Sequence, residues 1–199
     1  MIDGGRVRAF LAIPPDAGWS ESARALVARI RPALPDASWT RPESWHLTLR
    51  FLGEISPGVV SRFASAIAAG LERLGAGMLS TEGAVVFPPR GPARVLGVEF
   101  AEDGEHGVVA EIARRAEDAA RGLDLAPERR PFRPHVTFAR LRRPWPGEAV
   151  ARYRAEADGW EFPVWPVRSC VLYESRLAPE GAIHTPVASW ALAASGQPA

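Results

Sequence analysis

Residues 45–54, WHLTLRFLGE, alternate the apolar Trp45, Leu47, Leu49 and Phe51 with the polar His46, Thr48 and Arg50. A period of two predicts a β-strand, because successive side chains leave a strand on opposite faces. The apolar set makes the buried face. The other face then presents a histidine, a threonine and an arginine in succession, which is either a wet sheet surface or the wall of a site.

A second stretch, PHVTFARL at 134–141, repeats the phrase. The chain has four histidines, His46, His106, His135 and His184, and two of them head the pattern His-apolar-Thr-apolar. At average composition a given histidine does so roughly once in a hundred trials, so two among four by accident is on the order of a few in ten thousand. On a strand, residues i and i+2 share a face about 6–7 Å apart. His46 therefore projects with Thr48, and His135 with Thr137. If the two strands lie side by side about a pseudo-twofold axis, two imidazoles and two hydroxyls converge on one groove. Histidines placed across a phosphodiester serve as a base and an acid near pH 7, and threonine hydroxyls donate to its non-bridging oxygens. Such an arrangement requires no metal. By parity Arg50 shares the face of His46, and Arg133 that of His135. Arg140 has the wrong parity for a flat strand unless twist or a bulge turns it inward.

Around these strands the pattern predicts an α+β chain. Residues 6–13 read as a strand stopped by Pro14-Pro15. A helix with Ala25, Leu26, Ile30 and Leu34 at helical spacing follows, with Ser20 or Ser22 as N-cap. A second helix starts at Ser56-Pro57 and runs through Val60, Phe63, Ile67 and Leu71. Strands near 79–87 and 94–101 flank the turn-forming FPPRGP, a long helix fits 105–122, and strands fit 135–141, 163–175 and 184–194. Residues 145–162 are ambiguous between helix and loop, and the tail SGQPA is expected to fray. Strand, helix and histidine-bearing strand recur in that order in both halves. Nearly the same number of residues separates Phe10 from His46 as Val98 from His135. Strands joined to helices without regular βαβ alternation favour α+β over a doubly wound sheet.

Composition narrows the function classes. At 199 residues, 47% hydrophobic and 24% charged, the chain is in the ordinary globular range. It has no stretch approaching the roughly 20 apolar residues of a membrane span, nor the layout of a signal peptide. Its one cysteine, Cys170, excludes an intrachain disulfide and a multi-cysteine metal site. It reads as an inert buried thiol. All basic side chains are arginine, and the net charge is +1, so affinity for an anionic substrate has to be local. Neither His-Glu-x-x-His nor Cys-x-x-Cys is present. The basic run 128–143 is the kind of Arg-rich stretch that most often forms a solvated loop. His106 reads as a surface residue. His184, followed by Thr185 and Pro186, breaks the phrase and reads as a structural histidine at a strand start. Phe10 either stacks on a base or fills core.

RAFLAIP at 8–14, HLTLRFLGE at 46–54, RPFRPHVTFAR at 130–140 and VLYESRL at 171–177 together resemble the two-histidine (2H) phosphoesterases. More narrowly, they resemble the RNA 2′,3′-cyclic phosphodiesterases, also called 2′-5′ RNA ligases. The resemblance implies one domain over residues 1–199, with a bilobal α+β fold. Two pseudo-twofold-related halves, each an antiparallel sheet with flanking helices, would face a central cleft, and each lobe would supply one His-x-Thr-x motif. It implies hydrolysis of a terminal 2′,3′-cyclic phosphate to a 2′-phosphate, with water attacking phosphorus, the 3′ oxygen departing and no cofactor. His135 is then the base and His46 the acid, an assignment that the symmetry of the motifs leaves reversible, while Thr48 and Thr137 hold the phosphate. An arginine just downstream of the second motif, Arg140, would contact the nucleotide, with Arg50, Arg133 and Phe10 as further candidates. The expected partner is an RNA end bearing the cyclic phosphate, or a small cyclic nucleotide. Reversal would join ends through 2′-5′ bonds, and a module that binds RNA ends without turning them over would have the same residues. The protein is expected to be a cytoplasmic monomer with no obligate protein partner.

Overall fold

The computed structural model describes residues 5–102, 107–178 and 181–193; His106 and the tail SGQPA lie outside them. The chain runs β1 (Val7–Ile13), α1 (Ala17–Ile30), a 3-10 turn Arg31–Ala33, β2 (Ser38–Trp39), a second 3-10 turn Pro42–Ser44, β3 (Leu47–Ile55) and α2 (Pro57–Leu71). It continues through β4 (Gly77–Phe87), β5 (Val95–Glu102), α3 (Val108–Arg121), β6 (His135–Arg140), α4 (Gly147–Asp158), β7 (Trp165–Val167), β8 (Ser169–Ala178) and β9 (Gly181–Ala191). The mixture of helices and antiparallel strands is the expected α+β class.

Local chemistry sets the boundaries. Asp16, not Ser20 or Ser22, caps α1: its side chain accepts from the Trp19 amide at 3.0 Å, so the helix begins as soon as Pro14-Pro15 release the chain. Trp19, Ala23, Leu26 and Ile30 then bury one helical stripe. The ambiguous segment 145–162 contains α4, in which only Tyr153 and Ala157 are buried. Two buried positions in three turns leave almost no periodic signal to read.

The strands follow the path β7-β4-β5-β6-β3-β1-β8-β9, with β2 paired to the far part of β6. Two four-stranded halves, β3-β1-β8-β9 and β6-β5-β4-β7, meet along β3 and β6, where one register pair is formed, Leu47 with Val136. Within each half the strand that precedes a helix lies beside the strand bearing the His motif: β1 beside β3, and β5 beside β6.

The helices cross over. α1, which leaves β1, packs Trp19 against Phe100, Phe138 and Trp165 of the other half and donates its indole N–H to Thr81 of β4 at 3.0 Å. α3, which leaves β5, packs on β3, and α4 packs on β4. Each half-sheet is thus covered by a helix that begins in the other half. Leu11, Leu47, Phe63, Val98, Val136 and Phe138, all fully buried, belong to one continuous core cluster. Among the described residues no helix is long and apolar enough to cross a membrane.

Candidate active site

The junction of the halves builds a cleft. Leu47 faces Val136 in antiparallel register, so one step either way sets His46 across from Thr137 and Thr48 across from His135. All four side chains line a cleft of about 590 Å³, a usual size for a small-ligand pocket. Strand geometry thus brings together the four residues that the two motifs single out.

Both imidazoles are oriented by the same local device. His46 Nδ1 lies 2.8 Å from the carbonyl oxygen of Ser44, and His135 Nδ1 lies 2.8 Å from that of Arg133. A carbonyl only accepts, so each Nδ1 carries the proton and donates it two residues back. The unprotonated Nε2 is left for the cleft on both rings. Burial pushes the His46 pKa down to about 4, assisted by the charges of His184, His135 and Arg140 and opposed by the bond to Ser44. His135 is also lowered, first by burial and then by the charges of Arg133 and Arg140, against its bond to the Arg133 carbonyl and the charge of Glu99. The unliganded site at pH 7 therefore holds two neutral rings with two bare Nε2 lone pairs.

Directly after each threonine the strand departs from flat alternation. Opposite β1, Ala12 pairs with Thr48 and Leu11 with Arg50, which leaves Leu49 as an extra residue. Opposite β5, Gly97 pairs with Thr137 and Leu96 with Ala139, which leaves Phe138 as the extra residue. Each bulge reverses the parity of the residues downstream of it. Arg50 is turned out of the groove: it is 7% exposed and pairs through Nε with Glu117 of α3 at 2.7 Å. It also donates to the carbonyl of Ala126. Phe51 is turned in and lines the cleft with half of its surface exposed. Arg140 holds the matching position in β6 and also lines the cleft. The fifth residue after each histidine, Phe51 or Arg140, is therefore a cleft residue, and Arg50 is not.

The remaining candidates divide. Arg133 is held by Glu99 and lies over the Phe87 ring at 5.3 Å, outside the residues that line the cleft. Phe10 does line it, but at 3% exposure its ring is enclosed by His46 at 4.7 Å, His184 at 4.9 Å and Tyr173 at 5.3 Å. It braces the His46 ring and has no open face for a base. Cys170 is fully buried, with its thiol pushed up to about 12 by burial.

Trp39, Arg41 and Arg8, which the two His motifs do not single out, also line the cleft, and His184, which reads as a structural histidine from its sequence, lines it too. Arg8 sits on β1 two residues before Phe10, so its parity with Phe10 was a usable signal. Trp39 arrives on the two-residue β2 and Arg41 in the loop after it, which has no periodicity to read. His184 is brought in by the β8–β9 pairing, in which it faces Ser175. Among the described residues the lining holds three arginines and three histidines and no carboxylate. Among the described residues no three of His, Cys, Asp or Glu converge as a metal ion would need.

Comparison with known proteins agrees with this geometry. The family model described as LigT-like phosphoesterase matches residues 13–97 and 103–184. The RNA 2′,3′-cyclic phosphodiesterase of Methanothermobacter thermautotrophicus is 29% identical over 182 residues, 90% of this chain and 96% of the relative. A protein of the same name from Geobacillus stearothermophilus is 30% identical over 142 residues, 70% of this chain but only 43% of that longer relative. The crystal structure of LigT from E. coli in its apo form superposes with a TM-score of 0.71 at 25% identity, covering 95% of this chain and 99% of the other. A fold of two antiparallel half-sheets around a cleft carrying two His-x-Thr strands defines a phosphoesterase. The chain belongs to the LigT-like phosphoesterase family.

Proposed function

We propose that the chain is an RNA 2′,3′-cyclic phosphodiesterase that opens a terminal 2′,3′-cyclic phosphate to a 2′-phosphate by acid–base catalysis from His46 and His135. The observation that carries this reading is the matched pair of Nδ1 contacts to backbone carbonyls at 2.8 Å, which leave two Nε2 atoms to one cleft whose described lining has no carboxylate. One Nε2 takes a proton from the attacking water as the P–O bond forms. The other, protonated, delivers a proton to the 3′ oxygen as the P–O3′ bond breaks. Two neutral rings do not complete this cycle by themselves. A phosphodiester anion seated between them raises the pKa of one ring, which then takes up a proton from solvent, because a negative charge within about 4–6 Å favours the imidazolium. Thr48 and Thr137 donate to the non-bridging oxygens, and Arg140 balances the charge that develops on phosphorus.

Trp39, Phe51, Arg8 and Arg41 extend the lining beyond the His pair, which favours an RNA end over a free cyclic mononucleotide. In the same groove a 5′-hydroxyl in place of water attacks phosphorus as the P–O3′ bond breaks, which joins two ends through a 2′-5′ bond with the energy of the strained ester. The deciding experiment is a product assay on an RNA ending in 2′,3′-cyclic phosphate, with and without EDTA. The expected product is the 2′-phosphate in both conditions, with kcat lower by about 10²–10⁴ in His46→Ala and in His135→Ala. Binding without turnover would instead identify an RNA-end-binding module. An unimpaired double variant would end the mechanism.

A further inference from the structure

A third imidazole stands beside the pair. His184 lies on β9 opposite Ser175 of β8 and lines the same cleft as His46. Its ring meets His46 edge-on at 5.1 Å and 85°, Phe10 at 4.9 Å and 82°, and Tyr173 at 6.3 Å and 61°. Three rings thus fix its plane. Its Nδ1 is enclosed and has no hydrogen-bond partner among the described residues, whereas its Nε2 is not so enclosed.

This environment selects a tautomer opposite to that of the other two rings. His46 and His135 each have a carbonyl to receive an Nδ1 proton. His184 has none, and a buried N–H without an acceptor forfeits its hydrogen bond to water with nothing in return. The neutral ring therefore keeps its proton on Nε2, the nitrogen open to the cleft. The site then presents two bare lone pairs and, next to them, one N–H.

We propose that His184 is a substrate-binding residue of this site, donating Nε2–H to an oxygen of the phosphoester held between His46 and His135. The assignment rests on the phosphodiesterase reading and adds to it a residue outside the two motifs. His184 takes no part in proton transfer: it holds the ester, and later the 2′-phosphate, against His46.

Two substitutions separate donation from packing. His184→Gln places an amide N–H near the Nε2 position but removes the ring, and His184→Phe keeps a ring against His46 and Phe10 but removes the donor. Titration calorimetry with adenosine 2′-monophosphate should show binding weakened tenfold or more in His184→Phe and by no more than about threefold in His184→Gln, with thermal melts confirming that both are folded. KM for the cyclic-phosphate RNA should rise in parallel in His184→Phe, with kcat changed far less. Wild-type affinity in His184→Phe, or equal losses in both variants, would overturn the proposal. A second measurement needs neither ligand nor activity. Long-range ¹H–¹⁵N correlation should place the proton of His184 on Nε2 and those of His46 and His135 on Nδ1, and a proton on Nδ1 of His184 would also overturn it. If the tautomers are as stated but the wild-type protein binds no adenosine 2′-monophosphate, the phosphodiesterase reading itself is what fails.

Discussion

At the scale of single residues, the unequal burial of the two imidazoles proposed as acid and base shapes the expected pH dependence. A base works only when neutral and is lost as pH falls through its pKa. An acid works only when protonated and is lost as pH rises through its own. With His46 lowered to about 4 and His135 lowered from its usual value, kcat/KM, which reports the free protein, should trace a bell. Its acid limb should fall near pH 4 and its alkaline limb below about 6.5. The two values belong to the coupled pair, and the bell has the same shape whichever histidine is the base. A substrate with sulfur in place of the 3′ oxygen separates the roles, because a thiolate leaves without a proton. If His46 is the acid, His46→Ala should recover most of its lost rate on the sulfur substrate and His135→Ala should recover none. The reverse pattern would make the more deeply buried ring the base.

At the scale of elements, the bulge after each threonine decides which side chains meet the substrate. Flat alternation puts Arg50 in the groove and Phe51 in the core. One extra residue at Leu49 exchanges them, and the same event at Phe138 delivers Arg140. The His-x-Thr face was legible because it precedes both irregularities. The residues beyond them were not, since bulges leave no mark in hydrophobic periodicity: Leu49 and Arg50 are both buried, one as an apolar side chain and the other as an ion pair with Glu117. The exchange makes opposite predictions for neighbouring residues. Arg50→Ala takes from Glu117 its buried cation and leaves it the exposed Arg121 and the backbone amide of Glu128. It should destabilise the fold by about 3 kcal/mol, seen as a lower denaturation midpoint, with kcat/KM little changed well below the melting temperature. Phe51→Ala should leave the midpoint nearly unchanged and raise KM for RNA about tenfold, the loss of one base-stacking contact. Gly97, opposite Thr137, is the tight point of the second bulge. A Cβ there would lie 2.0 Å from the Val136 carbonyl oxygen, so Gly97→Ala must push β6 away from β5. It should cost about 3 kcal/mol and should displace His135, lowering kcat as well as stability.

At the scale of the molecule, the exchange of helices ties the two halves of the site together. The duplicated strand–helix–strand order was readable from the chain, but an amphipathic stripe does not say which sheet it will cover, so the crossing was not. Its consequence is mechanical. His46 and His135 sit on half-sheets whose motif strands form one register pair, Leu47–Val136, among the described residues, a junction too small to hold two rings in register. Trp19 is the clamp: it leaves the first half on α1, is fully buried, and packs on Phe100, Phe138 and Trp165 of the second half and on Trp45, next to His46. Each half takes part of the cover of its apolar face from the helix of the other, so the chain should unfold in a single step despite its length. Calorimetric and van't Hoff enthalpies should agree, and loss of activity should coincide with loss of secondary structure along a urea titration. Trp19→Ala should cost about 3–5 kcal/mol while keeping one transition. Two separate transitions, or a stably folded fragment covering residues 77–167, which hold β4 to β7, would show that the halves stand alone and that something other than the crossed helices aligns the two histidines.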